Sequence, residues 1–339
     1  MKIEKPYLVF LGEADNLDDA KTATGIIKWI PEHCKGQYRM SDKTISVGLP
    51  DVSLEEAVGL GIKTLVVGCV SHGGIIPENW KNIFATALKQ GLNVASGMHE
   101  KLSNDVRLKK IAEDNNKKIY DFRYQEQKYP LGSGEKRTGK RLLTVGTDSI
   151  IGKKFTAMAI YRELQRLKIK SSFRSTGQTG FLISNGGINN DTIICDFLSG
   201  AAEWLSPDNE SEHWDIIEGQ GSIWHPSYCG GSLSLLMGSQ PDQIVVCHDP
   251  RREKQYGTNF DLPSIKAEIE ANIYLGKRTN PNIKCTVISI NFTGMTTEEK
   301  INYSTRLNEE LKSMDLKLPY IFDANDSEAV NRFVREVIL

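Results

Sequence analysis

RLLTVGTDSIIGKKFTA, residues 141–157, is the stretch that carries the reading of the fold. The apolar run LLTV ends in Gly146, a polar loop follows, and Gly152 and Lys153 open a helix-forming segment that extends to about residue 167. A strand feeding a glycine-bounded loop and then a helix brings backbone N–H groups and a helix N-terminus onto one anion. Lys153 adds a mobile positive charge. The usual spacing, G-x-x-x-x-G-K-[ST], is not met. Five residues separate Gly146 from Gly152, and Lys154 stands where a hydroxyl residue is expected. That hydroxyl ordinarily binds magnesium beside the β- and γ-phosphates. Thr156 lies two residues further on, around the helix, and does not replace it. The loop therefore reads as one that holds a phosphorylated cofactor without breaking it at phosphate.

Around this stretch, short apolar runs alternate with helical patterns. C-terminal to it, strands are expected at 171–176, 215–219, 243–248 and 284–290, and helices at 229–238, 263–276, 297–313 and 326–338. Residues 191–197, DTIICDF, read as an apolar helix or strand. N-terminal to it, strands are expected at 7–12, 64–68, 92–97 and 118–122. Helices are expected at 20–29, 53–60, 77–90 and 104–115, the second capped by Ser53 with Glu55 and Glu56 in its first turn. Such alternation implies parallel sheets covered on both faces. RYQEQKYPLGSGEKRTGK, at 123–140, is polar and carries Pro130 and three glycines. It divides the chain into a first domain at 1–124, a linker at 125–140 and a second domain at 141–339.

Composition narrows the function. The 339 residues are 39% hydrophobic and 25% charged, with a net charge of −1, as in a globular protein of two domains. A balanced charge argues against a nucleic-acid partner. The cluster Lys136, Arg137, Lys140 and Arg141 reads as a solvated linker, with an anion site as the alternative. The opening MKIEKPYLVFLG is too short an apolar run for a signal peptide or a membrane span, so a cytoplasmic location is expected. Six scattered cysteines without a C-x-x-C pair read as free thiols in a reducing compartment, and no metal site is expected.

Further motifs follow the expected strands. DIIEGQGS delivers Glu218 to a glycine-flanked turn. FRSTGQTG offers Arg174, Thr176 and Gln178 beside glycines that allow close approach to carboxylate or phosphate. WHPSYCGGS supplies His225, and CHDPRR supplies His248, Asp249, Arg251 and Arg252. Asp196 and Glu203 are further acids. A G-x-S-x-G elbow is missing, and the first domain has no G-x-G-x-x-G fingerprint, which argues against a dinucleotide site.

The GTD-x-x-x-GK form of the loop resembles the dethiobiotin synthetase branch of P-loop proteins, in which a V-E-G-x-G segment like that around Glu218 faces the loop. A wider resemblance rests on GEKRTGKRLLTVGTD, GQTG, DFLSGAAEWLSP, HWDIIEGQGS, HPS and CHDP, with KTATGIIKW, GLPD, GGIIPE and VASGMH in the first half. These strings resemble the D-glutamate N-acetyltransferase family, and the similarity covers most of the chain. It implies a Rossmann-like N-terminal domain followed by a P-loop NTPase-like α/β domain with a mostly parallel sheet. It implies acetyl transfer from acetyl-CoA, as co-substrate, to the amine of D-glutamate, in D-amino acid catabolism. An N-acetyl-D-glutamate racemase is then the pathway neighbour, and a homo-oligomer is expected. The family loop reads GTD-x-x-x-GKK-aromatic-T, so Lys154, Phe155 and Thr156 fit it.

Coenzyme A carries a 3′-phosphate and a pyrophosphate, which suit such a loop. Gly146, Thr147, Asp148, Ser149, Gly152, Lys153, Lys154 and Thr156 are its expected contacts. The substrate ammonium must lose a proton before attack, and Glu218, His225 and Asp196 are the candidate bases. The sequence does not rank them firmly, with Glu218 preferred because its strand-end position beside Gly219 and Gly221 lets substrate approach closely. Two carboxylates call for cations, with Arg174 first and Arg251 second, and Thr176 and Gln178 alongside. The alternatives are an ATP- and magnesium-dependent ligase or kinase of the dethiobiotin synthetase type, and a nucleotide-sensing regulator. His72, Gly73, Gly74 and His99 are the residues through which the first domain could touch substrate.

Overall fold

The computed structural model describes residues 1–312 and 320–338, with the backbone alone at His72. The chain divides into two units. Unit 1 comprises Met1–Gln127 with Gln178–Thr192, and unit 2 comprises Lys128–Gly177 with Ile193–Leu339.

In unit 1 the elements run β1 (Tyr7–Phe10), α1 (Lys21–Trp29), β2 (Cys34–Tyr38), α2 (Leu54–Gly59), β3 (Thr64–Val67), α3 (Glu78–Gln90), β4 (Asn93–Ser96), α4 (Val106–Asp114) and β5 (Ile119–Asp121). All five strands are parallel, in the order β2-β1-β3-β4-β5. Every residue of β1, β3 and β4 is buried, as expected of strands sandwiched between helix layers. Ser53 caps α2 in a capping box: its hydroxyl accepts from Glu56 N at 3.2 Å, and Glu56 accepts from Ser53 N at 2.9 Å. β2, CKGQY, was not expected from its sequence. It is an edge strand with exposed Lys35 and has no apolar run to announce it.

Unit 2 opens on β6 (Lys140–Gly146), α5 (Lys153–Arg166) and β7 (Ser171–Arg174). The next helix, α6 (Gln178–Ser184), belongs to unit 1. Unit 2 resumes with α7 (Leu198–Leu205), β8 (Trp214–Ile217), α8 (Cys229–Ser239), β9 (Gln243–His248), α9 (Ile265–Gly276), β10 (Lys284–Ile290), α10 (Thr297–Lys312), β11 (Tyr320–Phe322) and α11 (Ser327–Phe333). Its six strands are parallel, in the order β11-β10-β9-β6-β8-β7, so β6 lies between β9 and β8. The loops after β6, β8 and β9 therefore emerge side by side at the C-terminal edge, where ligands bind in open α/β sheets. Among the described residues no helix is long and apolar enough to cross a membrane.

Two expectations are corrected. Residues 191–197 form neither a helix nor a strand of any length. Two single 3-10 turns, Asn190–Thr192 and Cys195–Phe197, occupy the segment, and Thr192 Oγ1 donates to the backbone carbonyls of Arg123 and Asn189. Ser313, the last residue of the expected helix at 297–313, lies outside the described residues.

The basic cluster is not a solvated linker throughout. Arg141 is fully buried. Its guanidinium donates to the backbone oxygens of Arg137, Thr138, Gly139, Ser206 and Pro207. Arg137 likewise donates to the carbonyls of Ser206 and Gly238, both at 2.8 Å. These cations satisfy carbonyls of the chain entering β6 and of the C-terminal ends of α7 and α8 that would otherwise be stranded in the interior. Arg141→Lys keeps the charge but loses the planar fork, so it should cost about 2 kcal/mol of stability. A urea unfolding midpoint equal to that of the parent would refute this role.

Candidate active site

β6 ends at Gly146, and the loop reaches α5 through Gly152, whose φ of +108° is left-handed and open to glycine without strain. The first N–H groups of α5 have no intrahelical partner, which makes this end of the helix an anion receptor. Lys153 is 6% exposed, and its ammonium turns back onto the carbonyl of Asp148. Burial pulls its pKa down to about 8, against the opposing pull of Cys247, Glu268 and Asp148.

Asp148 is fully buried. Its Oδ2 accepts from Arg252 Nη1 and from the backbone N–H of Tyr256, both at 2.8 Å, while Oδ1 is buried with no partner. Arg252 also holds the carbonyls of Ser149, at 3.0 Å, and Ile150, at 3.3 Å. The segment after β9 thus straps the loop. Thr147 shares a hydrogen bond with His248 Nδ1 at 2.9 Å, and burial lowers the His248 pKa to about 4, keeping that ring neutral. Thr156 points elsewhere: its hydroxyl meets Ser289 on β10 at 2.8 Å.

Beside the loop, β8 delivers Glu218, which is 4% exposed. Its Oε2 accepts from the backbone N–H of Thr176 at 3.1 Å and from Ser175 Oγ at 3.3 Å. The Thr176 hydroxyl returns to the Glu218 carbonyl at 2.6 Å. Burial pushes the carboxyl pKa up, opposed first by the charge of Lys154 and then by these hydrogen bonds. Gly219 lets the strand end close against the loop. A Cβ there would stand 1.6 Å from the Thr144 carbonyl oxygen and 3.3 Å from Lys153 Cδ. The arrangement is a basic carboxyl group beside a cationic, N–H-lined loop, at the edge of one sheet.

The other candidates are placed differently. His225 is 1% exposed and uses both ring nitrogens: Nδ1 accepts from Ser227 N at 3.1 Å, and Nε2 donates to the Tyr256 carbonyl at 2.8 Å. Through Tyr256 it is coupled to Asp148. Asp196 is exposed on its 3-10 turn, away from the hydrogen bonds that hold Glu218, Asp148 and His225. Arg174 reaches back along the sheet to Asp215 Oδ1 at 2.7 Å. Arg251 is forked onto Asp249 at 2.9 and 2.6 Å. Gln178 belongs to unit 1, where its amide bridges the Gly97 carbonyl and Arg123 Nη1, each at 2.8 Å.

Sequence reasoning left Tyr256, Ser175 and Glu268 unmarked, and named Arg252 without a role. Glu268 is fully buried on α9, accepts from Asn272 Nδ2 at 2.9 Å, and has its pKa raised to about 8 by burial. The i, i+4 pair Glu268 and Asn272 falls on the stripe of Ile265, Ile269 and Gly276 that faces the core. Acid and amide on an apolar stripe were the available signal.

A family model described as a domain of unknown function (DUF1611_N), Rossmann-like domain, matches residues 33–125. A second, described as a domain of unknown function (DUF1611_C), P-loop domain, matches residues 130–321. The chain is 42% identical over 302 residues to a D-glutamate N-acetyltransferase of Tritonibacter scottomollicae, spanning 89% of this chain and 91% of that one. It is 42% identical over 310 residues to a D-glutamate N-acetyltransferase of a Pseudoalteromonas species, spanning 91% and 93%. The crystal structure of a DUF1611 family protein from Anabaena variabilis shares the fold, with a TM-score of 0.83 at 24% identity over 97% of this chain and all of that one. With both halves matched and the similarity running nearly end to end, the chain belongs to the D-glutamate N-acetyltransferase family.

Proposed function

We propose that this chain transfers an acetyl group from acetyl-CoA to the amine of D-glutamate, at the C-terminal edge of the sheet in unit 2. The observation that carries the reading is the pairing of a phosphate loop that has Lys154 at the metal-hydroxyl position with a buried carboxyl of raised pKa, Glu218, on the adjacent strand. The names of the relatives point the same way.

In this reading the backbone of residues 147–152, with Lys153 and Lys154, receives the phosphates of the coenzyme. Arg252 and Tyr256 hold Asp148, and with it the loop. Glu218 takes a proton from the substrate ammonium. The freed amine attacks the thioester carbonyl carbon, the C–S bond of the tetrahedral intermediate breaks, and coenzyme A leaves as thiolate to be protonated. His225 acts as a positioning residue through Tyr256, since neither of its nitrogens is free for the proton. The acetylated product is the substrate class that an N-acetyl-D-glutamate racemase consumes.

The test is direct. With acetyl-CoA and D-glutamate, free thiol should appear in a 1:1 ratio with N-acetyl-D-glutamate. EDTA should leave the rate unchanged, because no γ-phosphate needs a metal. ADP released from ATP and magnesium in step with D-glutamate consumption, with no thiol from acetyl-CoA, would replace this reading with a ligase or kinase.

A further inference from the structure

Unit 1 encloses a cavity of about 580 Å³ that the acetyl-transfer reading does not use. Its size lies within the roughly 300–1,000 Å³ typical of small-molecule sites. Its place in the fold follows from the strand order β2-β1-β3-β4-β5. The chain leaves β1 towards β2 on one side and returns to β3 on the other, so the connections diverge between β1 and β3, a position where such sheets bind ligands. The cavity is lined there by Lys21 and Thr22 at the start of α1, by Val67 at the end of β3, and by Gly97 and Met98 just after β4.

Two independent features give this cavity an appetite for anions. The first is the nine-residue helix α1. Its N-cap, Ala20, has no side chain with which to bond the first N–H groups, and its first turn carries Lys21 and no acid. Those N–H groups and the Lys21 charge face the demand for an anion together. The second is Arg123, which lines the same cavity and is 6% exposed. Nη1 donates to the Gly97 carbonyl at 3.0 Å and to Gln178, and Nη2 meets His99 Nε2 at 3.3 Å and pairs with Asp191. Nε is buried without a partner, and such a group ordinarily finds one. The Asp191 side chain is 57% exposed, so its charge is partly screened by solvent and offsets the guanidinium incompletely.

The remaining walls decide the class of anion. Val67, Val70 and Met98 suit a short carbon chain. Among the described lining residues there is no Phe, Tyr or Trp on which a base could stack. We infer that this cavity is a carboxylate site of unit 1 that takes a short-chain amino dicarboxylate. The inference does not depend on acetyl transfer by unit 2.

The experiment is calorimetric titration of the full chain, without acetyl-CoA, using D-glutamate and, separately, inorganic phosphate. Lys21 is exposed, so Lys21→Glu should fold normally. The expected result is D-glutamate affinity at least about 10-fold weaker in Lys21→Glu, with acetyl-CoA affinity and the unfolding midpoint unchanged. Arg123→Gln, where circular dichroism shows it folded, should weaken D-glutamate binding as well. Equal D-glutamate affinity in the parent and Lys21→Glu overturns the site. A Lys21-dependent preference for phosphate over D-glutamate overturns the carboxylate class. Failure of the acetyl-transfer reading has a different signature: no thiol release, with Lys21-dependent D-glutamate binding intact.

Discussion

Glu218→Gln is expected to bind acetyl-CoA as tightly as the parent and to turn over about 10²- to 10⁴-fold more slowly, the usual contribution of a positioned base. The geometry makes this a clean substitution. Glutamine retains an oxygen for the Thr176 N–H and the Ser175 hydroxyl, so the turn after β7 keeps its anchor. What it loses is basicity. Burial raises the Glu218 pKa, so its carboxylate is a stronger base than a surface glutamate. In the parent, kcat should rise with pH as this carboxyl ionises, and that limb should be missing from the residual activity of the variant. Equilibrium binding and single-turnover rates, measured together, decide the matter. Normal turnover removes Glu218 as the base. Lost acetyl-CoA affinity with normal chemistry would make it an electrostatic partner of Lys154 instead.

The sequence already favoured Glu218 for its place beside Gly219 and Gly221, and what surrounds each rival is visible only in three dimensions. Sequence placed Glu218 and Arg174 at the ends of two strands, with His225 just beyond Glu218, and the parallel pairing of β7 with β8 sets those two strand ends side by side. It did not show what each side chain already holds. His225 spends one nitrogen on Ser227 and the other on Tyr256, and Arg174 turns back to Asp215. The bonds to Tyr256 and Asp215 are tertiary choices, set by partners 31 and 41 residues away, and local pattern contains no trace of them. The strands and helices with strong periodicity, such as QIVVCH at β9 and KCTVISI at β10, were legible because burial on both faces writes a continuous apolar run. The edge strands β2 and β11 were not: β2 has no apolar run, and β11 is only three residues long, whereas the edge strands β5 and β7 were read. Buried Arg141 was misread for a related reason: its partners are backbone carbonyls, which carry no residue-specific signal.

Lys153→Met should separate stability from function in opposite directions. In the free protein, burial holds the Lys153 pKa near 8, below the ordinary lysine value of 10.5. The unfolded chain therefore binds more protons between these two values. On this account stability rises with pH through that window, and the penalty of the buried ammonium is fully present below pH 8. Methionine fills a similar volume without a charge. The variant should unfold at a higher temperature than the parent at pH 7, and the difference should shrink as the pH approaches 10. Cys247, Glu268, Asp148 and Arg252 face the same ammonium, so the comparison is between variant and parent at each pH rather than along one curve. Acetyl-CoA affinity should move the other way. A charge-assisted contact to phosphate contributes about 1.5–3 kcal/mol, so the variant should bind about 10- to 100-fold more weakly at pH 7. In the parent this affinity should itself decline as the pH rises above 8, because the free protein then holds a neutral amine that must take up a proton from solvent when the phosphates bind. Acetyl-CoA has no free thiol to confuse the titration. A parent affinity flat from pH 7 to 10, or a methionine variant that binds normally, would remove Lys153 from the phosphate site.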